Sequence, residues 1–530
     1  MKLLFALFFT STFTFAQDID ILWQKTIGGN FNDGSNDIVI NDAGDIFQIG
    51  TSRSDISGDK TEPIIGDRDI WIVKTNAVGE ILWDKTIGGT ERERSAKAVI
   101  LANKLYILCT SGSPISGTRT ANHYGLDDYW LVCIDMEGNQ LWDISYGGDN
   151  YDQTTDIKIN PAGNIMIGGT SSSNISGNKT DLIGGEADFW VLEINPIDGS
   201  ILQQKSIGSN TIDSFTAFSF DTEGNIYLFG DSGSNIEKDK TDPGYGDADF
   251  WIVKMDSDFN IIADKCFGGS SYENAPIGTS FIYENYLYFA GGSGSDDDGN
   301  KTTISLGIMD VWLLKVDLDL NLIWDKSLGG FGYEFPSDLE VKKEQIILTA
   351  NTEGDISGNK TVNSYGEQDM WLLILDLDGE IQYQNVYGGD GYDYGHFDFD
   401  RDDNLIVSCT SASGISGVKT DPSKGDADYW LFKLDMSQYL NINDNELSQS
   451  KLIKTYPNPF IDDVRFAFES PIKHQSVLTI YNTQGQMIDQ LNVQPNSNNL
   501  VWHTTNLASG VYFYEISVDD KLQKGKIIKQ

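Results

Sequence analysis

A chain that repeats itself every 59 to 61 residues must bury its core between copies of one small unit, and this chain does so seven times. Aligning on Asp-x-Trp gives Trp71, Trp130, Trp190, Trp251, Trp312, Trp371 and Trp430, preceded two residues earlier by Asp69, Asp128, Asp188, Asp249, Asp310, Asp369 and Asp428. Ten residues before each Trp stands a Thr after a base, from Lys60-Thr61 and Arg119-Thr120 to Lys419-Thr420. Five residues before each Trp stands a Gly, from Gly66 to Gly425. Three spacings held through seven copies exclude coincidence.

Each copy reads as four short strands. In the first these are DIVIN, DIFQIGTS, DIWIVKTN and GEILWDKTIGG, joined by turns such as Asn41 to Gly44. The second strand is nearly continuous in apolar residues, as in NIMIGGT and NIYLFGD, which suits a strand covered on both faces. No copy holds a sustained 3.6-residue period, so helical repeats are excluded. Four-stranded units repeated about an axis predict an all-β fold, a seven-bladed β-propeller over residues 17–436. The repeat also begins out of phase. DIDILWQKTIGG (residues 18–29) matches the last strand of a unit, and no such strand follows Trp430. The N-terminal strand is therefore expected to complete the final blade and remove two sheet edges.

The pattern D-x-W-h-h-K-h-D-x-x-G-x-h-x-W-x-K-x-h-G-G, followed by an acid and G-N-h-Y-h-x-G-x-T-x-S, resembles the bacterial SBBP seven-bladed β-propeller repeats over residues 18 to about 436. That resemblance implies a scaffold and no single shared reaction. Gln203, Ala263 and Tyr383 depart from it where Trp23, Trp83, Trp142 and Trp324 stand in other copies.

The two ends carry different information. Lys2, the apolar run Leu3 to Phe9 and the small-x-small site Thr14-Phe15-Ala16 read as a signal peptide over residues 1–16, with Gln17 as the first mature residue. No later apolar run reaches the 18 or so residues of a membrane helix. After a polar linker (437–453), residues 454–530 alternate apolar and polar in short runs, which predicts a small β-sandwich. This module resembles the type A C-terminal sorting domain of the Bacteroidetes type IX secretion system. The matching residues are Tyr456-Pro457-Asn458-Pro459-Phe460, Ile480-Tyr481-Asn482 with Gly485, Leu507-Ala508-Ser509-Gly510-Val511-Tyr512, and Lys526 to Lys529. The resemblance implies contact with the type IX machinery and passage through the periplasm to the cell surface or beyond.

Charge narrows the partners. The chain has 79 acids against 37 Lys and Arg, a net charge of -42, and residues 445–530 are balanced at eight and eight, so the excess sits on the repeats. Nucleic acid and anionic membrane surfaces would be repelled. Cys109, Cys133, Cys266 and Cys409 lie at separated repeat positions and read as free, mostly buried thiols.

Repetition also separates scaffold from site. Residues present in every copy serve what every copy does, namely packing and loop anchoring. The Asp-x-Trp acids and the Lys-Thr bases fall in that class. A third invariant acid follows each Gly pair by four residues: Asp33, Glu93, Asp152, Asp213, Glu273, Glu334 and Asp393. These acids are expected at the mouth of the channel, either capping the turn or holding a cation such as Ca²⁺. Capping is the preferred reading, since no loop has calcium-loop spacing; Asp296 to Asn300 comes nearest. No other cofactor is expected, and no G-x-S-x-G, H-E-x-x-H or Walker motif occurs.

One-off positions remain for a ligand. Tyr151, Tyr272, Tyr333 and Tyr392 precede the acid in four copies only, and Tyr124, Tyr245 and Tyr365 precede the loop Gly in three. With Asp152, Glu273, Glu334 and Asp393 they outline a candidate ligand face for carbohydrate or protein, on the end with the longer loops; the other end has tight Gly turns and is expected to be plain. The preferred function is a non-enzymatic exported binding scaffold. The alternative is an extracellular polysaccharide hydrolase or lyase with a carboxylate site in the funnel.

Overall fold

The computed structural model describes residues 19–233, 235–274, 279–440, 453–456, 460, 462–468, 476–482, 486–504, 507–508, 510–518 and 521–529. The signal segment, most of the linker, and Pro457, Asn458, Pro459 and Gly485 of the sorting motif lie outside them. The chain divides into two compact units at residue 440.

The first unit is all-β. Its strands form seven antiparallel sheets spanning 33–87, 93–146, 152–207, 213–267, 273–328, 334–387 and 393–434, here called first to seventh. The first sheet runs Asp33–Ile40, Ile46–Ser52, Asp69–Thr75 and Ile81–Ile87, each strand paired with the next. The seventh takes its fourth strand from the N-terminus. Ile21–Ile27 pairs antiparallel with Asp428–Leu434, with Lys25 opposite Leu431 and Thr26 opposite Trp430.

Burial follows the sequence pattern. The second and third strands of the first sheet are buried along their whole length, while the fourth exposes Ile81 and Leu82. All seven Trp of the Asp-x-Trp row are fully buried. Several meet the aromatic residue that precedes the Trp of the sheet before: Tyr129 and Trp190 lie 5.0 Å apart between ring centroids, Phe189 and Trp251 5.2 Å, and Phe250 and Trp312 5.4 Å. The same contact joins the seventh sheet to the first. Tyr429 and Trp71 are 5.0 Å apart, and the Tyr429 hydroxyl donates to the Trp71 carbonyl at 2.9 Å.

Among the described residues, first strands of neighbouring sheets share no ladder, and carboxylates bridge several of them. Asp37 accepts from the Ala98 N–H at 2.8 Å, Asp156 from Phe218 at 2.9 Å, Asp338 from Phe397 at 3.3 Å and Asp398 from Ile40 at 2.9 Å. The last of these again links seventh sheet to first.

The second unit has its own core. A three-stranded sheet (Ile453–Tyr456, Asp463–Phe468, Asn499–His503) and a four-stranded sheet (Met487–Val493, Ser476–Asn482, Gly510–Val518, Lys521–Lys529) bury Phe466, Leu478, Ile480, Trp502, Tyr514 and Ile527 together.

Candidate functional site

At each sheet two connections meet at one end, the loop from second to third strand and the segment leading to the next sheet. The Asp-x-Trp acid folds the first of these. Asp69 accepts from the N–H groups of Ile65 at 2.5 Å and Gly66 at 3.2 Å, Asp249 from Tyr245 at 2.6 Å, and Asp369 from Tyr365 at 2.6 Å. The third acid ties the second connection. Asp33 accepts from the Gly29 N–H at 2.6 Å, the Ser52 hydroxyl at 2.5 Å and the Ser54 hydroxyl at 3.0 Å. Asp152 bonds Gly148, Ser171 and Ser173 in the same way, and Asp393 bonds Gly389 and Ser413.

This corrects the expected acid ring. Asp152, Glu273, Glu334 and Asp393 are fully buried instead of exposed on a ligand face, and each accepts from a backbone N–H and from a Ser or Thr hydroxyl. The arrangement is a turn cap. Among the described residues no group of three or more His, Cys, Asp or Glu is placed to hold a metal ion. In the Asp296 to Asn300 segment, Asp298 accepts from the Ser270 N–H at 2.8 Å and Asn300 from the Gly268 N–H at 2.9 Å, so both anchor loops.

The two acids of a junction also meet. Asp69 and Glu93 share a hydrogen bond, and both crowd Gly88, where a Cβ would lie 2.2 Å from Asp69 Oδ1. Burial pushes Glu93 up to about 7, assisted by the charge of Asp69, while Ser111 and Ser113 pull it back. Burial raises Asp249 and Asp369 to about 6. The bases pair in different ways: Arg119 lies within ion-pair distance of its Asp-x-Trp acid, Asp128, at 3.4 Å, whereas Lys179 donates to the Ser206 hydroxyl at 2.8 Å.

A row that sequence reasoning passed over holds this end together. The residue after the second Trp position is Asp84, Asp143, Gln204, Asp264, Asp325, Gln384 or Gln24. Asp84 accepts the Trp71 indole N–H and the Thr61 N–H, each at 3.0 Å. Gln24 does the same for Trp430 at 3.1 Å and Thr420 at 2.9 Å, and donates its amide to the Val418 carbonyl. The four first-strand acids were also missed, although three stand four residues after the third acid: Asp37, Asp156 and Asp338.

The one-off tyrosines divide into two groups. Tyr151 (47 % exposed) and Tyr272 (41 %) flank a groove of about 500 Å³ across the third to fifth sheets. Gln153, Thr155, Thr170, Ser172, Ser214, Thr216, Asp231 and Asn274 supply its polar lining. Asn274 donates to the Tyr272 hydroxyl at 3.1 Å. Tyr333 and Tyr392 instead stack on Phe335 and Tyr394 of their own strands, with centroids 6.3 and 5.8 Å apart. Tyr245 and Tyr365 are exposed on loops, Tyr124 is half-buried, and none of the three lines the groove. The opposite end is not plain: a cavity of about 310 Å³ opens between the third and fourth sheets at the tight turns.

In the second unit the motif residues that are described converge. Phe460 bridges to Lys529, whose ammonium stands 5.5 Å from the Phe460 ring and donates to Thr504 at 3.1 Å. Gly510 pairs with Lys529 and Phe513 with Lys526, and the Tyr512 hydroxyl donates to the Ala508 carbonyl at 2.8 Å. Residues 454–530 match the secretion system C-terminal sorting domain family. The sorting domain directs secretion or cell-surface export and engages the secretion machinery. No helix among the described residues is long and apolar enough to cross a membrane.

The repeat unit has weaker relatives. The regulatory protein FlaEY of Caulobacter vibrioides is 23% identical over 384 residues, covering 66% of this chain and 39% of that protein. The chain thus spans about two fifths of the curated relative's length. Among solved structures, the polysaccharide lyase Uly1 is similar at a TM-score of 0.44, with 10% identity over 81% of this chain and 94% of that one. The hydrazine synthase of Kuenenia stuttgartiensis is similar at 0.41, with 9% identity over 72% and 93%.

Proposed function

We propose that the chain is an exported seven-bladed β-propeller, closed by Ile21–Ile27, that binds an extracellular glycan or a glycan-bearing protein without turning it over. Its origin in the Bacteroidetes and export by the type IX route belong to the same reading. The groove between Tyr151 and Tyr272 carries it. Two exposed phenol rings offer faces to sugar C–H groups, and the hydroxyls and amides between them match a polyhydroxylated ligand. The groove's volume of about 500 Å³ lies within the usual range of about 300–1,000 Å³ for ligand sites.

The test is a glycan array probed with the mature chain, followed by Tyr151→Ala with Tyr272→Ala. Each aromatic face lost should weaken binding by about 0.5–1.5 kcal/mol, while Tyr333→Ala leaves it unchanged. A second reading, polysaccharide hydrolysis or lysis, has one feature in its favour: burial raises both Glu340 and Asp398, on first strands of the sixth and seventh sheets, to about 7. New reducing ends or unsaturated products from any bound glycan, lost in Glu340→Gln, would replace binding by catalysis.

A further inference from the structure

At the turn end the first and fifth sheets fill a slot with their own side chains. In the first sheet Trp83 packs against Phe47, centroids 5.9 Å apart, and donates its indole N–H to the Met136 carbonyl of the next sheet at 3.2 Å. The Lys74 ammonium reaches the same carbonyl at 3.2 Å. The fifth sheet repeats this with Trp324, Tyr288 and Lys315 on the Leu377 carbonyl. In these two sheets the slot thus holds one flat ring and one ammonium, whereas Cys133 and Ile374 stand at the Lys position of the second and sixth sheets and Ala263 at the Trp position of the fourth.

The third sheet changes every member of the set. Met166 stands for the aromatic residue, Gln203 for the Trp and Glu193 for the Lys. Gln203 donates to the equivalent carbonyl, Ser257, at 2.8 Å and to Glu193 Oε2 at 2.8 Å. Asn160 and Asn164 donate to Glu193 Oε1 at 2.7 and 2.8 Å. A carboxylate accepts about four hydrogen bonds, so three amides leave one place on Oε2. The next turn departs as well. Phe259 sits at φ +61°, where Gly79, Gly138 and Gly379 stand in other copies. At Gly379 a Cβ would come within 3.0 Å of the Trp324 ring, so a side chain fits here only because the Trp is gone. What remains is the 310 Å³ cavity, walled by Phe220, Phe259 and Ile226 with Glu193 in its lining.

We propose that this cavity binds a small arylalkylamine, a flat apolar ring carrying a protonated amine, in place of the ring and ammonium that the first and fifth sheets supply from their own chain. The aromatic walls receive the ring, and Glu193 takes one N–H of the ammonium in a charge-assisted hydrogen bond. The site lies at the opposite end of the unit from the tyrosine groove and does not depend on it.

Titration calorimetry of the full chain with tryptamine tests the proposal. Saturable binding is expected, weakened at least tenfold by Glu193→Gln, with indole-3-propionate, its anionic counterpart, not bound. The double variant Gln203→Trp, Phe259→Gly restores the pairing seen at Trp324 and Gly379 and should abolish binding while keeping the wild-type thermal midpoint. If that variant does not fold, Glu193→Gln decides alone. No saturable tryptamine binding to the wild-type chain, or an unchanged Kd in Glu193→Gln, overturns the proposal.

Discussion

At the scale of single residues, the scaffold was legible wherever one residue type fills a repeat position seven times, and obscure where two types share it. The Trp and Asp rows announce themselves; the Asp-or-Gln row does not, because its common property is an acceptor oxygen aimed at an indole and not a charge. Asp84 and Gln24 therefore predict a graded result. Asp84→Gln should stay within about 1 kcal/mol of wild type in urea unfolding, since the amide can accept as Gln24 does, whereas Asp84→Ala leaves the buried Trp71 indole N–H unpaired, frees the Thr61 N–H, and should cost about 1–3 kcal/mol. Burial set the function of the third acids, and a linear sequence does not display burial; the spacing that located them could not say that hydroxyls would surround them. Glu93 makes this measurable. Its folded value is raised from 4.5 to about 7, so the stability it contributes is complete below pH 4.5 and is lost as pH rises through 7. Glu93→Gln keeps a donor toward Asp69 at every pH. Its melting temperature relative to wild type should therefore climb between pH 5 and 8, and a constant difference would show that Glu93 stays ionised throughout.

At the scale of elements, phase was the informative quantity. A spare strand at the start and a missing one after Trp430 pointed to one sheet assembled from both ends of the repeats, and Ile21–Ile27 lies there with its Lys25 opposite Leu431. Removing this strand does more than shorten a sheet. It takes away Gln24, the acceptor for Trp430 and Thr420, and exposes the backbone edge of Asp428–Leu434. Deletion of residues 17–29 should lower the thermal midpoint by well over 10 °C and promote aggregation at micromolar concentration; an unchanged midpoint in differential scanning calorimetry would show that the seventh sheet is completed in another way. The candidate sites were less legible at this scale, because they arise where elements differ. Gln203 was visible as a departure from the repeat, yet that it opens a cavity follows only once Glu193 and Phe259 are placed around it. Likewise Tyr151 and Tyr272 looked equivalent to Tyr333 and Tyr392 until the former pair proved to flank a groove and the latter to stack on Phe335 and Tyr394.

At the scale of the whole molecule, the division of charge and the division of structure coincide. The excess of acids belongs to the repeats, the balanced segment to the sorting domain, and contacts fall into two units that part at residue 440. Each unit has a hydrophobic core assembled from its own strands: the repeats pack around the Trp row, and the sorting domain around Phe460, Phe466, Trp502 and Tyr514. Each core is thus built within its own unit among the described residues, so each should fold when the other is absent. Within the sorting domain, by contrast, the start and end of the motif depend on one another, since Phe460 bridges to Lys529 on the last strand. Two truncations should then behave differently. Ending the chain after residue 444 should leave the repeats with a wild-type melting profile but retain them in the periplasm, because the sorting domain is gone. Removing only residues 521–529 should block secretion equally, by taking away the strand that pairs with Gly510–Val518 and leaving Ile527's place in the core empty. Fractionation of cells expressing each form, with melting of the recovered protein, reads both effects at once; normal secretion of either form would refute the role assigned to residues 454–530, and a lowered melting temperature of the 444-residue form would refute the independence of the repeats.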